Sequence, residues 1–331
     1  MRFTDFQNFI NSNKYARVTV KYINTFSSVI GLLIIFIVFT LSTPNFLSVM
    51  NITNILATTA PLFFVVIGLT FVILTGSVDL STGAVVSCTC VIVGLYIGEM
   101  GNKIILVALL VGVCAGLLNG LLISLLRIPS FIGTLCTMSI WKCVALIMSG
   151  SFNKAIPLAQ WPVIAWSRTV WFVFPIAYVI GIAIYIIAIM LERYTTMGKS
   201  IYAVGANVVS ARMAGINIVK TQIVAYLFSG IGSALSGIFY ALRLRASTPN
   251  IGDTLNLLAM AAVVLGGTSL AGGKGSVTTT LPSVITIIML QTALKVLGMD
   301  VYWQEIVFGI VLIGAIYINA DRSYSKDIVI K

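Results

Sequence analysis

Apolar runs long enough to cross a bilayer recur along this chain, and no other feature limits its fold so strongly. They fall at roughly 27–42, 54–75, 83–98, 104–126, 130–149, 170–191, 221–242, 254–271, 276–297 and 302–320, separated by polar or Gly/Pro punctuation. About 20 apolar residues are needed to cross a roughly 30 Å hydrocarbon core, so 331 residues accommodate about ten spans joined by short loops. Inside hydrocarbon the backbone must satisfy its own hydrogen bonds, which segments of this length do as helices. The predicted fold class is an all-α integral membrane protein. Its tightly packed bundle covers 27–320, between an N-terminal segment 1–26 and a tail 321–331. With only 9% charged residues, against about 25% in soluble domains, no separate soluble domain is expected. Nor is a cleaved signal peptide, because the first apolar stretch lacks a small-residue cleavage site.

The formal net charge of +11 is explained by topology. The basic residues are scattered between apolar segments and form no run with interleaved aromatics, so no nucleic-acid partner is expected. If the N-terminus is cytoplasmic, that side holds most of them, including Arg2, Lys14, Arg17, Lys21, Arg127, Arg193, Lys199, Arg212 and Lys220. The excess of positive charge on one side predicts both termini in the cytoplasm and an even number of spans. The outer side holds Lys103, Lys154, Arg168, Arg243 and Arg245, while Lys142 and Lys295 lie inside spans with no evident partner. Trp161, Trp166 and Trp171 cluster outside, either as an aromatic belt at the interface or as a surface that receives a soluble partner. The five cysteines, Cys88, Cys90, Cys114, Cys136 and Cys143, lie in apolar segments without metal-type spacing and read as small core residues; no metal or cofactor is expected.

Several stretches break the apolar pattern. Gly76-Ser77-Val78-Asp79-Leu80-Ser81-Thr82-Gly83 places two glycines, three hydroxyls and a carboxylate between two spans. It is either a plain turn, in which Ser77 or Asp79 caps the next helix, or a non-helical break beside the solute path. A counterpart on the same side, Gly266-Gly267-Thr268-Ser269-Leu270-Ala271-Gly272-Gly273-Lys274-Gly275-Ser276, hints at an internal duplication. The longest inner loop, 192–220, should carry a two-turn helix that starts at Asn207 and stops at Gly215. So short a helix needs a surface to hold it, either a partner's or the chain's own. Gly112, Gly116 and Gly120 in the fourth span, and Gly94 with Gly98 in the third, clear one helix face each for close backbone approach.

Neither Gly198-Lys199-Ser200 nor Gly273-Lys274 has the leading glycine of a phosphate-binding loop, so ATP hydrolysis by that machinery is not expected here. Histidine is absent, which removes His-based acid–base work and the HExxH zinc site, and a membrane enzyme is the weakest reading.

At the two glycine breaks and the inner loop the chain resembles the ribose-type family of bacterial ABC sugar importer permeases. Three separated motifs carry the resemblance: Gly-Ser-Val-Asp-Leu-Ser-Thr-Gly at 76–83, Tyr-Ala-Val-Gly-Ala-Asn…Ala-Gly-Ile at 202–216, and Gly-Gly-Thr-Ser-Leu-Ala-Gly-Gly-Lys-Gly-Ser at 266–276. Weaker similarity covers nearly the whole chain. It departs where members often carry an acidic pair, here Asn256 and Leu258, and where they often carry Arg-Gly, here Lys142-Cys143.

The resemblance implies a type II-like importer permease in the bacterial inner membrane. A second permease copy, identical or paralogous, would enclose the pathway, with ABC ATPase subunits below and a periplasmic or lipid-anchored sugar-binding protein above. It assigns Tyr202, Gly205, Asn207, Ala211, Arg212, Ala214 and Gly215 to the ATPase contact, and Gly76, Asp79, Ser81, Gly83, Asn256, Gly267 and Gly273 to the pathway or its gate. Lys154, Arg168, Arg243 and Arg245 would face acidic residues of the binding protein. The alternative class is a secondary carrier driven by an ion gradient.

Overall fold

A computed structural model of the chain describes residues 46–296 continuously, together with scattered positions between 33 and 41 and between 298 and 314. The terminal segments and much of the expected first and tenth spans, 27–42 and 302–320, lie outside the described residues.

Among the described residues seven helices are long and apolar enough to cross a membrane. They are α1 (Val49–Leu74), α2 (Thr82–Met100), α3 (Lys103–Ser124), α4 (Ser130–Ser149), α5 (Ile176–Tyr194), α8 (Ile218–Leu244) and α10 (Thr280–Val296) with the turn that precedes it. Two short helices, α6 (Thr196–Ala206) and α7 (Val208–Met213), fill the 192–217 loop at one end of the bundle. At the opposite end, two-residue strands β1 (Lys154–Ala155) and β4 (Ala246–Ser247) pair antiparallel, and β2 (Val170–Trp171) with β3 (Phe174–Pro175).

Helix α8 is the centre, packed against α1, α2 and α3. Glycine makes that possible. A Cβ on Gly112, Gly116 or Gly120 of α3 would run into the α8 backbone or side chains at Gly230, Tyr226 and Ile223, so the two helices meet backbone to backbone along three turns. In α2 the pair does something else: Gly94 makes room for Ser247 of β4, and Gly98 for the side chain of Gln160. The spacing is helical, but the neighbours are a strand and one side chain rather than a second helix.

Two expected spans are corrected. The sixth begins at Ile176, not 170, because residues 170–175 turn through the β2–β3 hairpin. The eighth, expected over 254–271, is only the 11-residue α9 (Leu255–Leu265). At 1.5 Å per residue it covers about 17 Å, roughly half a bilayer core. The segment before it runs from β4 beside Gly94 down to Gly252, which lies against Gly83 at the start of α2. Thus α9 begins well inside the bundle and descends to the 266–276 turn at the α6–α7 end. The cysteine reading is also corrected: Cys88 and Cys90 are buried, whereas Cys114, Cys136 and Cys143 are exposed.

Candidate functional site

The loop end is built from small residues first. Asn207 caps α7, its Oδ1 accepting from the Ser210 N–H at 2.9 Å, and Gly215 at φ +79° ends the turn that follows. Of the residues assigned there, Arg212, Ala214 and Gly215 are exposed, but Ala211 is buried and anchors the helix to the bundle. Val209 and Met213 were not singled out by sequence, yet they are 69% and 86% exposed, so α7 turns an apolar face outward.

Beneath α7 the three glycine-bearing stretches meet. A Cβ on Gly205 would collide with Leu74 O and lie 2.5 Å from Gly273 N, while the Gly273 N–H itself donates to Leu74 O at 2.9 Å. Gly76, at φ +76°, lies against Ala271 and Gly272, and Gly267, at φ +81°, turns the chain out of α9. A second carboxylate that sequence reasoning passed over ties this knot. Glu192, buried at the end of α5, accepts from the Tyr202 hydroxyl, from Ser276 Oγ at 3.2 Å and from the Val277 N–H at 3.0 Å. Tyr202 Oη also lies 2.7 Å from Gly275 O. Burial, then the bond to Glu192, pushes the Tyr202 phenol above its usual range. A carboxylate within an apolar run was the available sequence signal.

Deeper in the bundle the 76–83 stretch is neither a plain turn nor capped by Ser77 or Asp79. Asp79 is 3% exposed and receives four uncharged donors: Ser81 N at 3.0 Å, Ser81 Oγ at 2.7 Å and Asn119 Nδ2 at 3.4 Å on one oxygen, and Ser229 Oγ at 2.7 Å on the other. Asn119, also missed from sequence, accepts in turn from Thr137 Oγ1 at 2.6 Å and so links α3 to α4. Asn256 caps α2 across the fold. Its Oδ1 accepts from the Gly83 N–H at 2.6 Å and Thr82 Oγ1 at 2.5 Å, and its Nδ2 donates to Leu80 O at 2.5 Å. Broken backbone at this depth thereby keeps its hydrogen bonds inside protein.

Lys142, expected to lack a partner, has three: Asp253 Oδ1 in an ion pair, Asn250 Oδ1 at 2.8 Å and Pro249 O at 3.3 Å. All three partners lie in the irregular lead-in to α9, which hydropathy reads as loop.

At the opposite end Arg168 joins two recesses. One, of about 310 Å³, it lines with Arg243, whose guanidinium donates to Thr58 Oγ1 at 2.7 Å; the other, wider, it lines with Arg245, which stacks 3.4 Å over the Trp161 ring. Lys154 is exposed on β1. Two of the three tryptophans are held by the protein, Trp161 donating to Ile156 O and Trp166 to Asn102 Oδ1, while Trp171 is 72% exposed.

A bundle of apolar helices interrupted by buried, hydrogen-bonded breaks is the build of a membrane transport protein, in which non-helical backbone lines a path rather than meeting lipid. The chain belongs to the family described as the permease component of the branched-chain amino acid transport system, whose pattern it matches over residues 51–316. It is 33% identical to the ribose import permease protein RbsC of Escherichia coli K12 over 303 residues, covering 89% of this chain and 93% of that one. RbsC of Bacillus subtilis is also 33% identical, over 89% of this chain and 92% of its own. The autoinducer 2 import system permease protein LsrC of Photorhabdus luminescens is 30% identical over 88% of each. No solved structure matches. With these relatives and seven apolar helices, the chain is a multi-pass protein of the bacterial inner membrane.

Proposed function

We propose that this chain is the membrane-spanning permease subunit of an ATP-driven, binding-protein-dependent importer of a monosaccharide. Two such chains, identical or paralogous, enclose the pathway and alternate between inward and outward states. The loop end faces the cytoplasm, and α7 with Arg212, Ala214 and Gly215 docks on a separate ATPase subunit. Val209 and Met213 supply the apolar contact. The carrying observation is the knot beneath α7: Gly205 rests on Leu74 O and Gly273 N, so a displacement of α6–α7 passes directly to the end of α1 and to the 266–276 turn. Tight backbone packing transmits such a shift as rigid-body rocking rather than absorbing it.

The permease chemistry supports this division of labour. No phosphate-binding loop is present in the sequence, so ATP is hydrolysed on the partner. The Arg168, Arg243 and Arg245 surface with Lys154 meets acidic residues of the binding protein at the outer end. The similar chains are named as import permeases for ribose and autoinducer 2, which favours a small hydroxylated solute over an ion-coupled carrier. The test is solute uptake into proteoliposomes with ATPase and binding-protein subunits added or left out. Uptake that requires every component and ATP bears the proposal out; uptake by this chain alone on an ion gradient overturns it.

A further inference from the structure

A cleft of about 450 Å³ opens between α4 and the lead-in to α9, lined by Met138, Ser139, Lys142, Cys143, Asp253 and Asn256. Its depth follows from the packing. Lys142 is the thirteenth residue of the 20-residue α4, and the facing segment touches Gly83, where α2 begins inside the bundle. The Lys142 and Asp253 side chains are 25% and 53% exposed there. An ionised side chain facing hydrocarbon at mid-membrane is costly and rare, and such groups face a bundle interior or a water-filled cavity instead. An ion pair this open at this depth therefore faces water, and the cleft wall belongs to an aqueous path that a second chain closes off from lipid.

Resting on the importer reading, we propose that this cleft is where the solute touches the permease, and that it takes an uncharged polyhydroxylated solute through Lys142, Asp253 and Ser139. The chemistry selects for neutrality. Lys142 and Asp253 cancel each other, so an anionic solute gains the ammonium only by approaching the carboxylate, and a cationic one meets the converse. Hydroxyl groups serve both: they donate to Asp253, accept from Lys142, and leave no charge buried when they depart. Asn256 stays out of this exchange, since its oxygen is taken by Thr82 and Gly83 and its nitrogen by Leu80 O. It holds the wall in place. A volume of this size is at the low end of small-molecule sites, suited to one sugar ring.

Cys143 is a native reporter on the same wall. In the assembled transporter, with exposed Cys114 and Cys136 replaced by Ala, a charged, membrane-impermeant methanethiosulfonate reagent should modify Cys143 in at least one nucleotide state. Binding protein loaded with a neutral monosaccharide, ribose being the first probe, should slow that modification, and gluconate should not. Lys142→Met and Asp253→Asn should each lower uptake about tenfold, since each strands the opposite charge, while binding-protein-stimulated ATP hydrolysis persists. The double reversal Lys142→Asp with Asp253→Lys should recover part of the loss. A Cys143 that never reacts, or single variants that transport at the unmodified rate, overturns the site and leaves the importer standing. Absence of ATP-driven uptake by the unmodified complex overturns the importer reading and this one with it.

Discussion

The two ends of the bundle are joined by different means. Beneath α7 the contacts are backbone on backbone: Gly205 on Leu74 and Gly273, Gly76 on Ala271 and Gly272, with Glu192 closing the knot. At the opposite end the short β1–β4 and β2–β3 pairs are supplemented by long side chains, Arg245 over Trp161, Arg243 to Thr58, Trp166 to Asn102. The first arrangement has no slack, because a glycine contact cannot adjust a rotamer. The second can re-form in several geometries at little cost. Under the proposed function, the first build suits a part that passes on a displacement and the second a surface that binds and releases a soluble partner.

The sharpest attempt to break this contrast is Gly205→Val, which drives a branched side chain into Leu74 O. Overpacking of this kind costs about 1–3 kcal/mol or more, and uptake should be lost, while changing a side-chain contact at the opposite end, as in Arg245→Lys, keeps most of it; proteoliposome uptake normalised to protein in the membrane measures both. Next is Glu192→Ala, which leaves the Val277 N–H unpaired at about 1–3 kcal/mol, while the Tyr202 and Ser276 hydroxyls keep Gly275 O and Thr278 Oγ1. It should separate ATP hydrolysis from transport, read as more ATP consumed per solute moved. Asp79→Asn is milder, because Ser81 and Ser229 hydroxyls can turn to accept: uptake should fall without loss of protein from the membrane, and unchanged uptake removes Asp79 from the mechanism. The smallest effect belongs to the outer end. Arg243→Glu with Arg245→Glu should weaken binding-protein docking by about 1 kcal/mol, mainly at low salt; equal binding at low ionic strength rejects docking through these arginines.

Much of the architecture was legible because hydropathy reports span length directly. Helix α4 was read at 130–149 as it stands, and the start at Asn207 and the stop at Gly215 followed from capping chemistry. Depth was not legible: the apolar run 254–271 has a span's hydropathy but half a span's helix, since nothing in composition says where inside the bundle it begins. The three glycine stretches were seen as separate signals, and only the fold brings them together. Asn119, Glu192 and Asp253 were missed because their partners lie on other elements, at sequence distances where no periodicity operates. Lone polar residues inside apolar runs were the available clue for the first two.

The cap on α2 has a consequence for biosynthesis. Gly83 donates to a residue 173 positions later in the chain. A ribosome adding 5–20 residues per second needs on the order of 10–30 s to make that much polypeptide. During this interval the α2 start is in the membrane without Asn256, so the break matures only when the last third of the protein arrives. A nascent chain released before position 256 would lack the Asn256 side chain that holds Gly83, Thr82 and Leu80 at the start of α2.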